Sequence, residues 1–233
     1  MKYNLDLIRC AYIRGTIKNN SNWDISEELL TKDLFELSNS EINEIENIGK
    51  EKELKLYYFK EKEELPRVSI VLGFLRNICP NSLLDVGSGR GVFLFPLLQE
   101  FSNINITSID LLDRRVELLK NIKDGGINNL EVLKEDICTY NAQDNSFEVV
   151  TLLEVLEHIP NVLEAIKNAI RISKKFIVVT VPSKKDNNPE HIHLLTKEKL
   201  TNMFNSCGVT KLKFSGVNGH LFLIARKSDK DDR

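Results

Sequence analysis

The residues best placed to do chemistry form the segment Asp85-Val86-Gly87-Ser88-Gly89-Arg90-Gly91, which follows the apolar pair Leu83-Leu84. A buried strand that runs into a glycine-rich turn and then a helix lets main chain pass against a ligand, because glycine has no Cβ and accepts positive φ. Asp85 stands two positions before Gly87. A carboxylate there meets a cationic ligand group and repels phosphate. The glycines fall at 87, 89 and 91, whereas the dinucleotide fingerprint places its third glycine one residue later. Both features point away from a pyrophosphate, and so away from an NAD-dependent reductase. Nineteen residues after Gly91, the stretch Ile106-Thr107-Ser108-Ile109-Asp110 ends in an acid. A carboxylate at the end of a second strand can accept hydrogen bonds from both hydroxyls of a ribose. The plainer role, a helix N-cap, fits Asp113 better. One strand further on, Asp136 and Ile137 in Lys134-Glu135-Asp136-Ile137 suit an adenine amino group and its flat face, and equally a capped turn.

A second group is rich in histidine. His158 closes Glu154-Val155-Leu156-Glu157-His158, and His191 and His193 lie in Asn188-Pro189-Glu190-His191-Ile192-His193. Imidazoles titrate near neutrality and suit proton transfer, so Glu157, His158 and His191 are the candidate catalytic groups. Their alternative role is structural, as polar residues of a turn and a loop that start helices.

These residues need a scaffold. From Ser82 onward short apolar runs alternate with amphipathic stretches, the pattern of βα units around a mostly parallel sheet. Strands are expected at 82–86, 105–110, 130–134, 148–153, 176–181, 209–215 and 221–226, with helices over 91–101, 113–125, 161–172 and 196–206. Only Gly216-Val217-Asn218-Gly219 separates the last two strands, which predicts an antiparallel hairpin. The acidic strand ends and both histidine loops then share the carboxyl edge of the sheet, where α/β folds bind ligands. Ahead of this unit, helical spacing predicts two amphipathic helices, over 26–39 behind Ser26 and over 63–78 behind Pro66. Between them, 41–62 is rich in Glu and Lys and reads as a solvated helical face. The expected organisation is an N-terminal helical extension over 1–80, a ligand-binding unit over 81–227 and a disordered tail over 228–233.

The bulk properties narrow the classes. The chain has 233 residues, 42% of them hydrophobic, and a net charge of −2. It can bury a core, but it shows no global electrostatic footprint for nucleic acid. Cys10, Cys79, Cys138 and Cys207 form no CxxC pair and read as reduced, mostly buried thiols. The N-terminus has no apolar signal core, and no run approaches a membrane span. The expected location is the cytoplasm, without a membrane partner. Composition says nothing of oligomeric state.

From Ser82 to Arg226 these motifs together resemble the class I S-adenosylmethionine (SAM)-dependent methyltransferases. The resemblance implies an α/β fold: a Rossmann-like three-layer sandwich with a seven-stranded, mostly parallel sheet and a C-terminal antiparallel hairpin. It implies SAM as cofactor, with Gly87, Ser88, Gly89 and Gly91 beside its methionine portion and Asp85 near the ammonium. Asp110 and Leu111 would take the ribose, Asp136 and Ile137 the adenine, and Leu153 and Glu154 would close the pocket near the sulfonium. The N-terminal helices would form a lid over the acceptor. The expected function is methyl transfer to a small-molecule acceptor, with no metal. One alternative is a metal-dependent RNA 3′-terminal ribose 2′-O-methyltransferase, whose ligand set Glu154, Glu157, His158 and His191 resemble. That family has aromatic residues where Leu194 and Leu195 stand here. Another alternative is a non-catalytic SAM- or nucleoside-binding regulatory module.

Overall fold

The computed structural model describes residues 2–20, 25–59 and 65–228. Glu63, at the expected start of the second helix, and residues 229–233 of the expected disordered tail lie outside them.

Seven strands form one sheet in the order β3-β2-β1-β4-β5-β7-β6. They are β1 (Ser82–Val86), β2 (Asn105–Asp110), β3 (Leu130–Lys134), β4 (Phe147–Leu153), β5 (Ser173–Pro182), β6 (Lys211–Val217) and β7 (His220–Arg226). All neighbouring pairs from β3 to β5 are parallel, and β7 runs antiparallel to both β5 and β6. The expected hairpin is present. Its turn is Asn218-Gly219 with φ of 38° and 83°, the left-handed pair that a two-residue hairpin turn requires.

The central strands are apolar on both faces because helices cover both. Leu83, Val149 and Val178 pack in one apolar cluster, while Leu84, Val150 and Ile177 pack in the other. The crossover helices are α5 (Leu94–Glu100), α6 (Asp113–Asp124), α7 (Val162–Ile172) and α8 (Lys197–Ser206), close to the expected bounds. The second cluster takes its helical residues from α7 and α8, and the first from α5, α6 and the N-terminal helices. The three layers are those the pattern of apolar runs implied.

The N-terminal region differs from expectation. It holds four α-helices among the described residues: α1 (Leu5–Asn19), α2 (Glu27–Thr31), α3 (Asn39–Glu51) and α4 (Pro66–Ile78). The single helix expected over 26–39 stops at Thr31. Buried Arg14 explains the stop, since its guanidinium donates to the carbonyls of Leu30 and Lys32 and so satisfies the end of α2. Asp33 then caps a short 3₁₀ turn at Leu34–Glu36, and Ser38 forms a capping box with Glu41 that starts α3. The Glu/Lys-rich stretch is helical as far as Glu51, yet it buries Ile45 completely, and Phe59 is only 1% exposed. It is more than a solvated face.

Helix α1 had no counterpart among the expected elements. It crosses α6 at a separation that leaves no room for side chains, with Gly15 against the Asn121 carbonyl and Gly125 against the Ala11 carbonyl. Of the four cysteines only Cys10 is buried. Cys138 and Cys207 are partly exposed and Cys79 is exposed, so the expectation of mostly buried thiols fails. No described helix is long and apolar enough to cross a membrane.

Candidate functional site

The strand order reverses about β1, which lies between β2 and β4, and the crevice beyond the strand ends at such a switch point is the ligand site of open α/β sheets. A cleft of about 770 Å³ opens there. The glycine loop, the ends of β2 and β4, and the loops after β3 and β4 line it.

Gly87, Gly89 and Gly91 have φ of 67°, 61° and 80°, so each sits where side chains are strained. A Cβ on Gly87 would lie 2.8 Å from Val155, and one on Gly91 would run into the Phe95 ring at 2.4 Å. Gly87, Ser88 and Gly89 line the cleft together with Val155, whereas Gly91, expected beside them, is turned against Phe95 and is not part of the lining.

Asp85 is 2% exposed. Ser88 Oγ donates to its Oδ2 at 2.5 Å and Thr151 Oγ1 to its Oδ1 at 2.8 Å. Burial pushes its pKa up to about 6 despite these two hydrogen bonds, and the nearby Asp110 adds to the rise. Asp85 thus ties the glycine loop to β4 as well as facing the cleft. Asp110 accepts from the Gly89 and Leu112 peptide N–H groups at 3.2 and 3.0 Å and pairs with Arg115 at 3.6 Å. Its bond to Leu112 means that Asp110, and not Asp113, shapes the entry into α6, whose N-cap is Leu112 without a side-chain cap. Leu111 is 57% exposed at the rim. Asp136 accepts from the Cys138 N–H at 2.8 Å, and Ile137 offers an apolar wall. Asp85, Ser88, Asp110, Leu111, Arg115, Asp136 and Ile137 line the one cleft, and Thr151 stands behind Asp85.

Glu154, just after β4, has φ of 58°, an uncommon and costly conformation for a residue with a Cβ. Its N–H donates to the Thr180 carbonyl at 2.9 Å and its Oε1 accepts from Thr180 Oγ1 at 2.8 Å. His220 Nε2 lies 2.9 Å from Oε2, and Arg67 of α4 lies 4.0 Å away. Glu157, three residues on, points elsewhere. It is 1% exposed, neither carboxylate oxygen has a hydrogen-bond partner among the described residues, and burial pushes its pKa up to about 8. His158 and His191 meet edge to face with ring centroids 4.8 Å apart. Each has its Nδ1 engaged, His158 with the Glu190 carbonyl at 2.9 Å and His191 with Asp186 at 2.8 Å. Asp186 is held below the usual carboxylate range, chiefly by the Asn188 N–H and further by His191. His193 faces the Pro160 carbonyl.

The structure therefore brings together Glu157, His158 and His191 but separates Glu154 from them, so the four-residue ligand set of the RNA-ribose enzymes is not reproduced. Among the described residues of the N-terminal region, α4 alone reaches the cleft, through Arg67 and Val68. Sequence reasoning did not single out Thr151, Arg115, Thr180 or His220, which hold the candidate residues in place. Their roles arise from partners 5 to 66 residues away in the chain, and nothing local marks them.

The chain belongs to the methyltransferase domain family, whose pattern matches residues 81–220, more than half of its length. A ubiquinone biosynthesis O-methyltransferase of Rickettsia akari is 30% identical over 124 residues, which are 51% of this chain but only 43% of that relative's own length. Solved structures share the fold. A SAM-dependent methyltransferase from Aquifex aeolicus superposes with a TM-score of 0.56 at 18% identity, over 70% of this chain and 90% of that one. Magnesium protoporphyrin IX methyltransferase from Synechocystis, solved with bound SAH, has a TM-score of 0.56 at 14% identity, over 69% and 82%.

Proposed function

We propose that the protein transfers a methyl group from SAM to a small-molecule acceptor. The observation that supports this most is the pairing of two buried carboxylates, Asp85 and Asp110, at the ends of adjacent strands, with a left-handed glycine loop between them and a cleft in front. On this reading Asp110 takes the ribose hydroxyls beside Leu111, and Asp136 and Ile137 take the adenine. The backbone at Gly87, Ser88 and Gly89 passes the methionine portion, whose ammonium meets Asp85. Leu153 and Glu154 close the pocket at the sulfonium. The methyl group already sits on a good leaving group, so the protein's work is to align the acceptor and exclude water. Val155, Ile159 and Pro160 give the acceptor end apolar walls, and Arg67 and Val68 give the N-terminal segment a share in acceptor choice. The O-methyltransferase named among the relatives supports a hydroxyl acceptor. His158, which lines the cleft, then activates that hydroxyl, with Glu157 and His191 grouped beside it.

Calorimetric titration tests the cofactor assignment. SAM and SAH should bind and NAD should not. Asp110→Ala, which removes two charge-assisted hydrogen bonds, should weaken SAM binding about 100-fold. Equal SAM affinity in the variant and the parent would reject the assignment.

A further inference from the structure

Between β3 and β4 the chain runs through residues 135–146 without a helix, unlike every other connection from β1 to β6. It leaves the edge of the sheet and returns past β2 and β1 to reach β4. Its first four residues, 135–138, line the cleft. A stretch that joins no ladder must satisfy its peptide groups in another way. Within the loop, the Cys138 N–H donates to the Asp136 carboxylate at 2.8 Å, and the Thr139 and Tyr140 N–H groups donate to the Asp136 carbonyl at 2.9 and 2.7 Å. These bonds shape the turn but do not tie it to the rest of the protein. Ile137 does so in part, with its side chain in the second apolar cluster.

The polar tie comes from α7. Ala165 and Ile172, three residues before and four residues after Asn168, are buried, so helical spacing turns Asn168 inward with them. Its Nδ2 donates to the Ile137 carbonyl at 2.6 Å and to the Tyr140 carbonyl at 2.9 Å, which spends both amide hydrogens on the loop. Arg171 donates to the Tyr140 and Ala142 carbonyls at 3.0 and 2.6 Å and pairs with Asp144. Its Nε also donates to Asn168 Oδ1 at 2.9 Å. A guanidinium can only donate, so this bond fixes which end of the amide is oxygen and turns the Nδ2 hydrogens toward the loop.

We propose that Asn168, oriented by Arg171, is a positioning residue for the adenine of the cofactor. It is not part of the cleft lining, and it acts by holding the Ile137 peptide, so that the apolar wall and the neighbouring Asp136 carboxylate keep the spacing that the base requires. This rests on the methyltransferase reading, in which Asp136 and Ile137 take the base. A carboxylate held in place accepts from the adenine amine and rejects an oxo group at the same position, because two acceptors then face each other. Loosening the loop removes that preference and leaves most of the apolar contact.

The test is calorimetric titration of the full chain with SAH and with S-inosylhomocysteine, its analogue with an oxo group in place of the adenine amine. The parent should favour SAH at least ~10-fold. Asn168→Ala should weaken SAH about 10-fold and the analogue far less, so that the preference collapses. Lys167→Ala, which loses a surface pair with Glu164, should behave as the parent does. A merely structural Asn168 would lower the thermal midpoint or weaken both ligands alike, with their ratio intact. An unchanged ratio in Asn168→Ala overturns the proposal, and so does a parent that does not tell the two ligands apart. Asn168→Ser, which keeps a hydroxyl donor, carries the same comparison if the alanine variant fails to fold. A parent that binds neither ligand removes the methyltransferase reading and this one with it, whereas SAH binding with a ratio indifferent to Asn168 removes this one alone.

Discussion

Replacing Gly15 by Ala should lower the thermal midpoint by roughly 6–12 °C. A Cβ at this position would lie 1.8 Å from the Asn121 carbonyl oxygen and 2.6 Å from its carbon, both backbone atoms of α6 that no rotamer change can move. The α1 and α6 helices must separate, and their shared contacts loosen together. Alanine favours the helix by about 1 kcal/mol over glycine. Forced overpacking in a core costs typically 1–3 kcal/mol and more when backbone must shift, so the net loss should be about 2–4 kcal/mol, which in a chain of this size corresponds to the stated drop. Gly73 of α4 supplies the control. A Cβ there meets nothing within 4 Å, so Gly73→Ala keeps the propensity gain and should stabilise by about 0.5–1 kcal/mol. If scanning calorimetry finds the two variants alike, the close crossing is not what holds α1.

The second large effect concerns Asp85. Its pKa rises from the ordinary 3.8 to about 6 on folding, so the folded protein binds this proton more tightly than the unfolded chain. The stabilisation is complete below about pH 4, and it is lost as the pH rises through 6. Each tenfold in proton affinity is worth about 1.4 kcal/mol, so the ligand-free protein should lose up to roughly 3 kcal/mol across that window. Asp85→Asn keeps the shape and removes the titration. Its stability relative to the parent should therefore improve between pH 4 and 7 by that amount, while its SAM affinity falls. Saturating SAM should reduce the difference, because an ammonium beside the carboxylate favours its charged form. Denaturant titrations at several pH values read both quantities. Parallel stability curves for the parent and the variant would remove the buried charge from the account.

The strands and crossover helices were readable because their signals are local. Leu83-Leu84 running into Asp85-x-Gly87 and the two-residue turn at Asn218-Gly219 each specify geometry within a few positions. The strand-end acids were readable for the same reason. Helix α1 was not, because its buried residues lie on most of its circumference, from Ile8 through Arg14 and Gly15 to Ile17, and leave no apolar stripe of helical period. The end of α2 depends on Arg14, sixteen residues or more away, whose charged head gives no hint of burial in the sequence. In the site, the acids and histidines announced themselves, but what holds them did not. Thr151 reaches Asp85 only because β4 lies beside β1, and His220 reaches Glu154 only because β7 is inserted next to β5. The same limit explains Glu154, which reads as a fourth metal donor until its left-handed backbone turns it toward Thr180.

The recognisable family segment begins at residue 81, yet the outer surface of α6 is finished by a helix that begins at Leu5. A shortened protein cut at that apparent boundary would keep every strand and every cleft acid, but its first crossover layer would be left raw where Ala11, Gly15 and Leu34 had covered Gly125, Asn121 and Gly126. Such a fragment should be recovered as aggregate rather than as a minimal enzyme. Inheritance and folding thus draw their borders in different places along this chain.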